Sequence, residues 1–118
     1  MQPKRLTTLV TKALEELKGI DIVTLTVKDM TTVTDVMIVC TGTSNRHVKS
    51  LADNVVQKVK AKKLQPLGVE GGKDSEWILI DLGDVIVHVM QQRVRDYYGL
   101  EQLWGHTKSK SPTKRGTK

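Results

Sequence analysis

The chain has 118 residues, a net charge of +6, a single cysteine and no phenylalanine. That length suffices for one domain with its own core, and one cysteine excludes an internal disulfide framework. No apolar run approaches the ~20 residues of a membrane span, and the opening MQPKRLTTLVTKALEELKG has no uninterrupted apolar segment of the signal-peptide kind, so a soluble, cytoplasmic protein is expected.

In chain order, Pro3 opens a helix, where its missing N–H leaves no bond unmade. Leu6, Leu9, Val10, Ala13, Leu14 and Leu17 then recur at helical spacing as one apolar stripe, and Gly19 is the expected stop. Val23, Leu25 and Val27 alternate with Thr24 and Thr26, which reads as a half-buried strand. Val36 to Cys40 is apolar throughout, so this strand is expected to be central and covered on both faces. Cys40 within it reads as a small buried apolar side chain. Gly42-Thr43-Ser44 breaks the strand, and Ser44 is a good N-cap for a second helix with its stripe at Val48, Leu51, Ala52, Val55, Val56 and Val59.

After Pro66 and Gly68, residues 67–70 read as a short edge strand and 71–74 as a loop. Trp77 to Leu82 and Val85 to Met90 form a hairpin about Gly83-Asp84. Gln91 to Tyr98 reads as a third helix, and Leu100 to Trp104 as a short apolar hook. The last 13 residues carry Lys108, Lys110, Lys114, Arg115 and Lys118 and no acid, in a Ser/Thr-rich context expected to be a disordered basic tail. Residues 1–105 then hold 14 basic and 13 acidic residues, a body of net +1. The expected architecture is α/β: a mixed sheet of about five strands with two long helices on one face. One domain covers residues 1–105, and the tail covers 106–118.

Three function classes compete. A metal-dependent nucleotidyltransferase would use Ser44 in the Gly-Thr-Ser turn together with Asp81 and Asp84, but carboxylates three apart across a turn do not share one strand face. His47, His88 and His106 have no ligand spacing, so neither a catalytic residue nor a metal site nor a cofactor is expected. A binding surface fits better. If Ile78, Ile80 and Leu82 face the helices, then Trp77, Leu79 and Asp81 face away, as do Ile86, His88 and Met90 on the next strand. With only a short third helix to cover it, a face bearing Trp77, Leu79, Asp81, His88 and Met90 is expected either to be open or to be covered within the chain by that helix and the Leu100–Trp104 hook. Its apolar centre beside acids has interface composition, and His88 reads as solvent- or partner-facing. A nucleic-acid-binding domain driven by the tail is a third class. The near-neutral body counts against it, since such binders carry a basic face.

Residues 35–48 (DVMIVCTGTSNRHV), Glu70-Gly71 with 77–89 (WILIDLGDVIVHV), and Arg95, Tyr98, Leu100-Glu101 and Leu103-Trp104 together resemble the Iojap family, the bacterial and organellar ribosomal silencing factors (RsfS). The resemblance covers residues 4–105. This chain departs from the family pattern at Val36 and Met90, where an aromatic is usual, and at Gln91-Gln92, where Pro-Glu is common. The resemblance implies a nucleotidyltransferase-like sandwich without the catalytic carboxylates. It also implies binding to the large ribosomal subunit through ribosomal protein uL14, where the bulk of the factor blocks subunit joining and represses translation when nutrients are scarce. The expected partner-binding residues are Glu70, Trp77, Leu79, Asp81, Asp84, His88, Met90 and Tyr98. A homodimer and contact of the tail with ribosomal RNA are further expected associations.

Overall fold

A computed structural model describes residues 2–29, 32, 34–71 and 75–98. Its elements follow the order α1 (Pro3–Glu16), β1 (Ile20–Thr26), β2 (Val36–Gly42), α2 (Asn45–Ala61), β3 (Gly68–Glu70), β4 (Trp77–Asp81), β5 (Val85–Gln91) and α3 (Gln92–Tyr98). The tail and the 100–104 hook lie outside the described residues. The five strands form one sheet in the order β1-β2-β5-β4-β3. Only the β2–β5 pair is parallel, because their connection carries α2 across the sheet; the other neighbours are antiparallel.

Helices α1 and α2 lie side by side on one sheet face. Their stripes, Leu6, Val10, Ala13 and Leu14 with Val48, Leu51, Ala52, Val55 and Val59, close over Ile38, Cys40, Ile78, Ile80, Val85, Val87 and Val89 in one core. The helices run antiparallel. His47 at the start of α2 meets the Leu17 carbonyl through Nε2 at 2.7 Å, while Asn54, two turns on, donates to the Ala13 carbonyl at 2.8 Å. Asn54 also donates to Glu16 Oε1 at 3.0 Å, and Lys58 reaches the same oxygen at 3.3 Å. These contacts, Asn54 foremost, hold the Glu16 carboxyl below its ordinary pKa.

Both helices end on a lysine rather than a glycine. Lys18 and Lys63 take the left-handed conformation, at φ 63° and 64°. The following amides, Gly19 N and Leu64 N, reach back to the Leu14 and Val59 carbonyls, the bond pattern that usually places glycine at the left-handed position. Gly19 is therefore not the conformational stop expected of it. Its requirement is steric: a Cβ there would stand 2.5 Å from Cys40 Sγ. Cys40 is wholly buried beneath it, and burial pushes its thiol up to about 11, so it packs as an apolar residue.

The second sheet face carries a smaller cluster: Leu25, Val27, Met37, Val39, Met90 and Val94, with Val23 and Trp77 at its margin. Val94 belongs to α3, which folds back over the end of β5. Arg95 on the same helix is 6% exposed. Its Nη1 donates at 2.8 Å both to the Asp21 carbonyl and to Thr41 Oγ1. Asp21 sits at φ 48° beside a register shift in β1. Such a bulge leaves a carbonyl without its ladder partner, and the guanidinium fills that role.

Candidate functional site

Strand register defines the face away from α1 and α2. One row across the sheet reads Val23, Val39, His88, Leu79, Glu70 and the next Leu25, Met37, Ile86, Asp81, Gly68; Trp77 lies opposite Met90 at one end. The alternation predicted from sequence thus puts Trp77, Leu79, Asp81, Ile86, His88 and Met90 on one face. The whole of that face is not open, however. Met90 is completely buried and His88 is 8% exposed: Val94 of α3 and Val27 just past β1 share the cluster that holds Met90, and the Trp77 ring lies against His88. Met90 therefore cannot touch a partner while α3 stays docked. The side that remains accessible is narrower: Leu79, Ile86 and Asp81 half-buried, Glu70 exposed, and Trp77 half-buried at its end.

His88 is an internal group, not the solvent-facing imidazole expected. Its Nδ1 accepts a hydrogen bond from Trp77 Nε1 at 3.0 Å, and the rings lie 5.8 Å apart, tilted by 49°. Because indole N–H can only donate, the bond fixes a neutral His88 with its proton on Nε2. Burial pushes its pKa down to about 4. The pair locks the Trp77 ring against the sheet, beside a cleft of about 580 Å³ that Ser75, Glu76, Arg93, Val94 and Tyr97 also line.

The acids divide by role. Asp81 Oδ1 accepts from Gly83 N at 2.9 Å, so it caps the hairpin turn, whose Gly83 sits at φ 89° where a side chain would be strained. Asp84 has its side chain exposed, while its carbonyl receives the amides of Asp35 and Val36. Glu70 stands on the edge strand, opposite Leu79. Tyr98 closes α3, and its side chain lies outside what is described. Ile86 was missing from the expected contact residues. Its alternation with His88 and Met90 was the available signal, and its position opposite Asp81 and diagonal to Leu79 makes it part of the open patch.

A nucleotidyltransferase site built from Ser44, Asp81 and Asp84 is contradicted by the topology. Val85 pairs with Val36 at the start of β2, so Asp84 sits at that end, whereas Ser44 follows the far end. The seven-residue β2 spans roughly 20 Å at about 3.3 Å per residue, which is beyond the reach of one shared metal or phosphate. The Gly-Thr-Ser turn has its own bonds to make: Ser44 Oγ accepts from His47 N at 3.1 Å, and His47 Nδ1 accepts from Thr43 N at 2.9 Å. The turn caps α2 and staples it to α1 through His47 Nε2.

Comparisons with known proteins agree with this geometry. Over 108 residues the chain is 46% identical to the ribosomal silencing factor RsfS of Chromobacterium violaceum, covering 92% of this chain and 88% of that one. A crystal structure of a Chromobacterium violaceum protein superposes with a TM-score of 0.88 at 44% identity, covering 98% of this chain and 95% of the other. A more distant relative, mouse mitochondrial assembly of ribosomal large subunit protein 1, is 31% identical over 74 residues, which is 60% of this chain and 32% of its own. The family model described as "ribosomal silencing factor during starvation" matches residues 1–118, and with the five-stranded mixed sheet under two antiparallel helices this places the chain in the ribosomal silencing factor (RsfS) family.

Proposed function

We propose that this protein binds the large ribosomal subunit by its open half-face and hinders joining of the small subunit there, lowering translation when nutrients are short. The docking partner in this reading is ribosomal protein uL14. The observation that carries it is the patch itself: Leu79 and Ile86 form an apolar centre, with Glu70, Asp81 and Asp84 around it. A partly exposed apolar centre with an acidic rim suits a basic protein surface. Family membership and the mouse relative's name, which speaks of large-subunit assembly, support the large subunit as the body that is bound. A steric mechanism requires no chemistry of the site, only area and register. Leu79→Asp places a charge in the apolar centre without disturbing the main core under α1 and α2. It is expected to weaken co-sedimentation with isolated large subunits by a hot-spot amount, on the order of 2 kcal/mol or ~30-fold, with the thermal midpoint little changed. Undiminished co-sedimentation would rule the patch out as the docking surface.

A further inference from the structure

The near-zero charge of the body conceals a strong separation. The helix layer and its turns, residues 2–19 and 44–67, hold ten basic residues and three acidic ones, a net +7. Among the described residues the sheet and α3, residues 20–43 and 68–98, hold three basic and eight acidic ones, a net −5. The expectation that the body lacks a basic face is thereby overturned, because the sum ran over two layers of opposite sign. Of the three helix-layer acids, Asp53 is paired with Lys49 at 2.6 Å and Glu16 with Lys58. Lys4, Arg5, Lys60, Lys62 and Lys63 are exposed and have no ion-pair partner among the described residues. The antiparallel course of the helices brings them to one pole, the start of α1 beside the end of α2. Residues 2–12 and 60–67 contain no acid.

Local stability does not account for this cluster. Lys60 and Lys62 favour the negative end of α2. Lys4 and Arg5, however, lie in the first turn of α1, which has no acid and no side-chain cap, and cations there oppose the helix dipole. Lys63 holds a left-handed position where glycine is the unstrained choice. Three of the five cations thus stand where the helices alone would not want them. An anion beside the first turn of α1 would relieve the penalty there; the negative end of α2 next to it offsets the dipole's share, so the clustered side-chain cations carry the attraction.

We infer that this pole binds the phosphate backbone of structured RNA, on the side of the molecule opposite the open sheet patch. A membrane surface fits less well. Interfacial helices bury an apolar stripe in the lipid, and here both stripes are already buried against the sheet. The choice of RNA rests on the ribosomal reading above, while the phosphate chemistry stands on the charge layout alone.

The test compares two full-length variants. One carries Lys4, Arg5, Lys60, Lys62 and Lys63 changed to Gln. The other changes the five tail cations Lys108, Lys110, Lys114, Arg115 and Lys118 to Gln. Binding to a short labelled RNA duplex is followed by anisotropy between ~50 and ~200 mM salt. The helix-pole variant is expected to lose roughly ten-fold or more in affinity, and its log–log salt slope to shrink by about 2 or more, as lost phosphate contacts require. Lys60→Arg with Lys62→Arg keeps the charge and should keep the affinity, which guards against a folding artefact. Leu79→Asp should leave duplex binding intact, so failure of the sheet-face reading is seen separately. The inference is overturned if the helix-pole variant binds the duplex like the parent, if only the tail variant loses binding, or if the parent prefers phosphatidylserine vesicles to RNA.

Discussion

At the scale of single residues, the Trp77–His88 pair carries a pH response whose sign can be worked out. His88 titrates near 4 in the folded chain, against about 6.5 in an unfolded one. Between those values the unfolded state holds more protons, so stability falls as pH drops from about 6.5 towards 4 and is fully present above that window. From pH 7 to pH 5 this one group should account for up to about 2 kcal/mol. His88→Gln keeps an acceptor for Trp77 Nε1 and removes the titration. Denaturant midpoints at the two pH values should therefore fall less for the variant than for the parent; equal losses would show that His88 is not the sensing group. Strand alternation placed both residues on the correct face. It could not reveal that they bond to each other, nor that the imidazole is buried, because a ring folding over its cross-strand neighbour leaves no periodic mark on either strand.

At the scale of elements, the 3.6-residue stripes of α1 and α2 and the alternation in β4 and β5 made their types and order legible, since each element buries one side against the same core. Boundaries depended on finer chemistry. β1 begins at Ile20, ahead of the alternating run that announced it, because a bulge at Asp21 restores pairing with β2 and a distant arginine satisfies the freed carbonyl. Glycine was expected to stop α1, yet lysines occupy the left-handed position in both long helices. This yields a prediction: Lys63→Gly removes the left-handed strain, of order 1 kcal/mol for a non-glycine residue, offset in part by glycine's greater freedom when unfolded. A net gain of a few tenths to about 1 kcal/mol in urea unfolding is expected. The same variant should bind the RNA duplex more weakly, so stability and binding move in opposite directions. A destabilised variant would mean that the Lys63 side chain makes a compensating contact at the end of α2.

At the scale of the whole molecule, the sum of charges read from sequence was correct and its meaning was not. Only the layering shows that cations collect on the helices and acids around the sheet. A plate with opposite signs on its two sides is oriented by a field before it touches anything, and a rim of acids acts mainly on association. The rim can be probed without damaging the hairpin. Asp81 caps Gly83, so its removal would confound turn and interface; Glu70 and Asp84 are exposed and free of that duty. Glu70→Gln with Asp84→Asn should slow association with purified basic partner protein several-fold at low salt while leaving dissociation nearly unchanged. The difference from the parent should fade as ionic strength rises and the screening length falls from about 30 Å at 0.01 M to about 8 Å at 0.15 M. Rapid-mixing kinetics across that range decides the matter. A change confined to dissociation would place one of these carboxylates in a desolvated contact at the centre of the interface, and an unchanged association rate would show that the acidic side plays no part in steering.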